Sequence, residues 1–476
     1  MISCGSLKGK NTDNNTTDKS IKKPENSARL IKGSVGKTLV KLTIPMVVAI
    51  VGMVAFNLVD TFFVSKLGTT ELAALSFTFP VVLVINSLAM GIGIGASAVI
   101  SRAIGEGDQH RVKRLTTDSL VLALLIVGVF VILGLLTIEP VFRMLGAKGE
   151  ILAFIKQYMG IWYIGMPFVV VPMVGNNAIR ATGDTKTPSA IMLVAVCCNF
   201  IMDPLLIFGI GPFPRLAIAG AALATVISRS TTFIISLSVL FFRYKMLTLV
   251  KPKIKNVIES WKKILYIGLP TASTRIVVPL GIGVVTRIVS AYGKEAVAGY
   301  GVSSRIEFFA LTVIAALSSV LGPFIGQNWG ARKHDRVKKG IKYTEYFSLI
   351  WGAAVFLILL FMAAPIASIF NSNTSVVETI VLYLRIVSIG YGLQGIIMLT
   401  GSAMNVLNRP IHAAGIRIIQ MFILYIPLAL LGAYFFGLVG VFIALAITYC
   451  AAGAVSHFVL NDIIAKQLPT AAQDRS

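Results

Sequence analysis

Apolar residues run in stretches of about 18 or more along most of the chain, separated by short polar connections. Stretches of that length suffice to cross a bilayer as helices. About twelve can be read, roughly 39–64, 72–101, 116–138, 158–178, 189–210, 216–242, 264–291, 296–328, 346–370, 380–406, 412–436 and 438–462. The pattern also repeats itself at an offset of 225 residues. Pro45 pairs with Pro270, Gly68 with Gly293, Gly105 with Gly330, Arg111 with Arg336, Val112 with Val337 and Gly165 with Gly390. The basic stretch 246–262, poor in apolar runs, separates the two copies. The expected fold is therefore an all-α polytopic membrane protein of about twelve helices in two six-helix lobes, 37–245 and 263–465. Six crossings return the chain to its starting side, so the lobes share one orientation. Parallel repeats of this kind are related by a pseudo-two-fold axis along the membrane normal and build secondary transporters that alternate access around a central cavity.

Composition agrees with this reading. Of 476 residues, 56% are hydrophobic and only 13% charged. The net charge of +23 could suggest a nucleic-acid partner, but its distribution argues for a membrane. Basic residues concentrate in alternate connections, including Arg111, Lys113, Arg114, Lys251, Lys253, Lys255, Lys333, Arg336, Lys338 and Lys339. Under the positive-inside rule those connections, and with them both termini, face the cytoplasm, which places the chain as a multi-pass protein of the plasma (inner) membrane. Its charge then serves orientation and contact with anionic lipid. Residues 1–36, rich in Asn, Thr, Lys and Ser, read as a disordered tail, and 466–476 as a second cytoplasmic tail. The four cysteines show neither a disulfide framework nor metal spacing. Gly36-Lys37-Thr38 resembles the end of a phosphate-binding loop, yet Ile31 stands where that motif needs glycine. No cofactor is expected.

The chemistry should lie where the copies differ. Asp60 aligns with Val285; with Pro204 set on Pro427, Asp203 aligns with Ile426 and Asn199 with Phe422. A charged side chain inside a bilayer costs roughly 2.5–3.5 kcal/mol or more at a helix centre, so each is a functional candidate. Asp60 lies 15 residues after Pro45 and Asp203 lies 15 after Pro188, both on helices running in the same direction. At 1.5 Å per residue they share a depth, roughly 22 Å from the basic side. Asn199 precedes Asp203 by one turn and projects from the same helix face. Pro204 removes a backbone donor beside Asp203, and Thr225 lies at a compatible depth on the next helix. Asp60, Asn199, Asp203 and Thr225 would form an all-oxygen pocket fit for Na⁺, or for a proton shared between carboxylates. A structural hydrogen-bond network between helices is the alternative. Glu307 is the acid deep in a span of the second copy, and the sequence leaves it as either a substrate contact or a packing partner of Arg275 or Arg287.

These residues carry a resemblance to the multidrug and toxic compound extrusion (MATE) family. It rests on Pro45 through Asp60-Thr61, on the loops Gly105-Glu106-Gly107 and Gly330-Ala331-Arg332, and on Arg180-Ala181-Thr182-Gly183-Asp184-Thr185-Lys186-Thr187-Pro188. Asn199-Phe200-Ile201-Met202-Asp203-Pro204 and Ala219-Gly220-Ala221-Ala222-Leu223-Ala224-Thr225 complete it. The resemblance covers about residues 37–465. It implies antiport of small-molecule organic cations against H⁺ or Na⁺ by a monomeric exporter, with the cation site on Asp60, Asn199, Asp203 and Thr225 and a helix bend at Pro45. The carboxy-lobe acids that one branch uses in spans seven and ten have no match here, which resembles the DinF-type branch.

The resulting expectation is a cation-coupled drug exporter and not an enzyme, for no nucleophile–base pair or metal set is apparent. The other reading is a flippase for a lipid or lipid-linked oligosaccharide, which would want a basic cavity. Arg275, Arg287, Arg305 and Arg417 bear on it.

Overall fold

The structure, a computed structural model, describes residues 28–467, and every span in it is helical. The amino half holds α1 (Val35–Ser65), α2 (Thr69–Glu106), α3 (Gln109–Met144), α4 (Gly149–Ala181), α5 (Lys186–Phe208) and α6 (Ala217–Ser238), the last extended by a π turn, Val239–Arg243. The carboxy half holds α7 (Ile254–Ser290), α8 (Lys294–Gly330), α9 (His334–Phe370) and α10 (Thr374–Val406, tightened into a 3-10 turn at Ser388–Gly390). The remaining stretch, Pro410–Gln467, has 58 residues, which at 1.5 Å each is about three bilayer cores long. It is broken at Gly437, whose φ of 61° and ψ of −144° no helix accommodates. There the chain folds back so tightly that a Cβ on Gly440 would lie 2.0 Å from the Gly432 carbonyl oxygen. This gives α11 (410–436) and α12 (438–467), and hence twelve crossings.

Lipid-facing and inward-facing positions separate along each helix. Large apolar side chains such as Leu136, Phe361 and Phe436 are exposed, while small and polar ones turn inward. Buried hydroxyls return their protons to the preceding turn, as Thr43 does to the Leu39 carbonyl (2.8 Å) and Thr116 to that of Val112 (2.8 Å). In a medium without water this satisfies such donors within their own helix.

The repeat is visible in the contacts between lobes. A Cβ on Gly105 would lie 2.2 Å from the Gln327 carbonyl oxygen; one on Gly330 would lie 2.2 Å from that of Arg102. Gly330 is Gly105 displaced by 225 residues, and Gln327 is Arg102 displaced likewise. The contact is therefore reciprocal, as a two-fold relation demands. Ser101 packs on Gly326, its own counterpart, and marks where the axis passes. Nearer the middle, Gly91 of α2 faces Gly268 and Ala272 of α7. These close approaches run from mid-bundle to the end carrying the basic connections, and they seal the lobes together there.

Two boundaries differ from the sequence expectation. Residues 28–34 are placed, against the expectation of a tail to residue 36. Leu30 is buried against Gly183, its N–H donates to Gln327 Oε1 (3.0 Å), and its carbonyl accepts from Asn328 Nδ2 (3.2 Å) and Arg336 Nη2 (3.1 Å). Residues 1–27, and 468–476 of the carboxy tail, lie outside the described residues. Likewise, the stretch 246–262 is a linker only to Lys253, since α7 begins at Ile254 with a polar, amphipathic run before its apolar one. An apolar-run reading misses such helical extensions beyond the bilayer.

Candidate functional site

In the amino lobe, α5 packs against both α1 and α6 and sets their side chains level. Ser189, the residue after Pro188, donates its hydroxyl to the Pro45 carbonyl at 2.7 Å. Asp60 and Asp203, each 15 residues beyond its proline, therefore start from one level and end at one level. Both Pro45 and Pro204 lie inside unbroken helices. Pro45 spends its carbonyl on α5, not on its own helix alone.

Asn199 and Asp203 are in contact, Asp60 lies within electrostatic range of Asp203, and Thr225 is buried on the adjacent α6. Asn199 Nδ2 donates to Asp203 Oδ1 at 3.0 Å, and both side chains are fully buried. The Asp60 and Asp203 carboxylates interact electrostatically with each other, and both act on the buried phenol of Tyr158 from α4. Each of the four residues keeps one buried oxygen without a hydrogen-bond partner: Asp60 Oδ1, Asn199 Oδ1, Asp203 Oδ2 and Thr225 Oγ1. Leaving one buried polar oxygen unpaired costs about 1–3 kcal/mol, so these four are candidates for further hydrogen bonding or coordination. Two carboxylate oxygens, an amide oxygen and a hydroxyl are the hard donors a small monovalent cation takes.

Sequence reasoning missed two neighbours. Arg229 on α6 interacts electrostatically with Asp60, stacks its guanidinium on the Phe56 ring (4.3 Å to the centroid) and leaves its Nε unpaired. Its signal was available, since Arg229 lies one turn beyond Thr225 and so on the same face. Tyr158 gave none, because α4 runs in the opposite direction and its depth cannot be counted from the same end.

Glu307 occupies a different environment. Tyr449 donates to its Oε1 (2.6 Å) and Tyr383 to its Oε2, from α12 and α10. The rings of Tyr300, Tyr383 and Phe442 enclose them, with Tyr383 and Phe442 5.0 Å apart. Among the described residues it has no ion pair with Arg275, Arg287 or Arg305, so the packing partner expected from sequence is replaced by two phenols. Arg275 turns elsewhere, within electrostatic range of Arg180 and Arg417.

The Asp184 loop, between α4 and α5, is a structural tie. Asp184 accepts from the backbone N–H of Lys186 (2.9 Å) and Thr187 (3.1 Å), from the Thr187 hydroxyl and from Tyr244. Burial alone would raise this carboxyl, but those bonds outweigh it and hold it below the ordinary aspartate range. Burial and the bond to Asp184 push the Tyr244 phenol up to about 12.

Twelve spans in two lobes about a pseudo-two-fold axis, with a polar pocket inside one lobe, define a duplicated secondary transporter. The MatE family model matches the chain twice, over residues 45–205 and again over 270–431, and the chain belongs to that family. It is 38% identical to an FAD transporter of Shewanella oneidensis over 91% of this chain and 96% of the relative. It is 27% identical to a probable multidrug resistance protein, YoeA, of Bacillus subtilis over 90% and 93%. Among solved structures, the Vibrio cholerae MATE transporter VcmN in its bent form superposes with a TM-score of 0.87 at 30% identity, covering 91% of this chain and 97% of that one.

Proposed function

We propose that this protein is a secondary active exporter that drives an amphiphilic organic solute out of the cell by antiport with H⁺ or Na⁺. The coupling ion would bind among Asp60, Asn199, Asp203 and Thr225. The four unpaired buried oxygens carry this reading. A structural network would have used those atoms on one another; here each residue holds one in reserve. The charge count agrees as well: two carboxylates and Arg229 sum to −1, which one monovalent cation neutralises.

The basic connections support a sealed end that faces the cytoplasm, and on this reading the arrangement described above is the outward-facing state. Binding of the ion there removes the net charge of the pocket and favours release of solute. Release of the ion toward the cytoplasm resets the site. The cycle works only if the ion binds the two states with different affinity. Multidrug resistance and FAD transport, as the two relatives are named, both involve amphiphilic solutes, so the reading draws on both without fixing the solute's charge.

The decisive test uses proteoliposomes with an imposed Na⁺ gradient and, separately, a pH gradient, with ethidium and FAD as solutes. Asp60→Asn and Asp203→Asn should each abolish gradient-driven movement of whichever solute the wild type carries, at unchanged expression and detergent stability. Full transport by both variants would refute the assignment. A flippase reading gains from the basic residues between the lobes, taken up next.

A further inference from the structure

Three arginines converge between the lobes with no counter-charge. Arg180 closes α4 in the amino lobe, and its Nη1 lies 3.9 Å from the sulfur of Met46, beside Pro45. Arg275 stands on α7 one turn beyond Ala272, whose side chain packs on Gly91 of α2, so it faces the amino lobe. Its side chain is accessible. Arg417 on α11, which packs on α7, has its Nη1 3.4 Å from Gln420 Oε1; Gln420 in turn donates to Gln394 Oε1 at 2.9 Å. Arg275 is within electrostatic range of both other guanidinium groups.

Arg114 on α3, by contrast, is paired with the buried Asp118. Arg180, Arg275 and Arg417 form no ion pair among the described residues, and Glu307, the carboxylate of the carboxy-lobe spans described above, is already held by two tyrosines. Three like charges held within electrostatic range of one another repel, and an anion between them would offset that repulsion.

We infer that Arg180, Arg275 and Arg417 form the anion subsite of the transported solute, and that the solute class is an amphiphile bearing a phosphate or diphosphate. This deepens the exporter reading and rests on it. A planar guanidinium offers phosphate two parallel donors, which an ammonium does not. Because the three groups come from both lobes, the subsite is complete only where the lobes meet, and rocking would take it apart. That is how a binding site between lobes couples release to conformation. The organic cation implied by the family resemblance would meet three positive charges there.

A soluble dinucleotide and a polyprenyl diphosphate share this chemistry, and separate arms distinguish them. The full-length protein in detergent is titrated with FAD, followed by quenching of flavin fluorescence, and with a short-chain polyprenyl diphosphate, followed by competition. Single Arg→Gln substitutions at positions 180, 275 and 417 should each weaken binding about tenfold or more, as expected for a lost charged hydrogen bond. Arg275→Lys should retain part of it, which guards against misfolding as the cause. FAD binding alone names a soluble solute, and polyprenyl diphosphate binding alone names a lipid; either supports the subsite. Asp60→Asn should still bind FAD while losing gradient-driven export, so failure of the coupling site and failure of this subsite are separable. Binding of neither anion, or equal binding by all three Gln variants, overturns the inference. So does ethidium export that Arg275→Gln leaves unchanged while FAD is not bound.

Discussion

At the residue scale the amino-lobe pocket is a problem in charge balance. Asp60 and Asp203 alone would hold −2, and two monovalent ions would be needed to neutralise them. Arg229, cradled on Phe56, brings the sum to −1. Two unit charges in a partly hydrated interior interact by about 4 kcal/mol at 4 Å, and half that at twice the distance. Removing the guanidinium should therefore raise cation affinity by roughly tenfold or more. Arg229→Gln is expected to bind Na⁺ more tightly in a calorimetric titration, or to take up a second proton per turnover if the coupling ion is H⁺, while releasing the ion more slowly. Unchanged affinity and stoichiometry would show that Arg229 does not take part in the balance. The approach of Asp60 to Asp203 and the shared face of Asn199 and Asp203 were legible in the sequence because helix geometry converts spacing into depth and face. Pro45 and Pro188 gave a common origin, and the four-residue step from Asn199 to Asp203 gave a common face. Arg229 shares a face with Thr225, one turn away, but whether it points at Asp60 is decided by packing across the lobe, as is the approach of Tyr158.

At the element scale the same limit recurs. Spans were legible because lipid demands apolar length, and even the α11–α12 break fell between two runs at Gly437. What lies outside the bilayer was not. The start of α7 at Ile254 is amphipathic, and the placement of residues 28–34 depends on Gln327, Asn328 and Arg336 from the other lobe. The α4–α5 loop is of this kind. Its Asp184 binds the first turn of α5 and reaches Tyr244 beyond α6, tying together the two helices that carry Asn199, Asp203 and Thr225. A carboxyl held below its ordinary range contributes stability above the unfolded-state value of 3.8 and loses it as pH falls from there through the lower folded value. Thermal stability in detergent should therefore show an acid-side decline, beginning below about pH 4, that Asp184→Asn reduces. The same substitution should lower stability at neutral pH, because an amide accepts fewer of those bonds. Identical pH profiles for the variant and wild type would remove Asp184 from this role.

For the whole molecule, the pseudo-two-fold axis makes a prediction that no single lobe could. The seal at the basic end depends on helices α2 and α8 crossing with backbone nearly touching backbone, which glycine permits at two symmetry-related points. A side chain at Gly105 would meet the Gln327 carbonyl and one at Gly330 the Arg102 carbonyl, each at 2.2 Å. These are backbone atoms and cannot swing aside, so the lobes must part; overpacking of this sort costs about 1–3 kcal/mol. If the lobes move as rigid bodies, that cost falls on the sealed state and spares the state open at the basic end. A shift of about 1.4 kcal/mol changes the ratio of the two populations tenfold. Gly105→Val and Gly330→Val should therefore have nearly the same effect although 225 residues separate them. Each should increase labelling of a cysteine placed at Ser101, on the axis, by a membrane-impermeant reagent applied from the basic side. The double variant should fall short of the sum, because either substitution alone already opens the one contact both would disrupt. Additive effects would mean that the two crossings yield separately, and that the lobes flex at these helices instead of rocking about a shared axis.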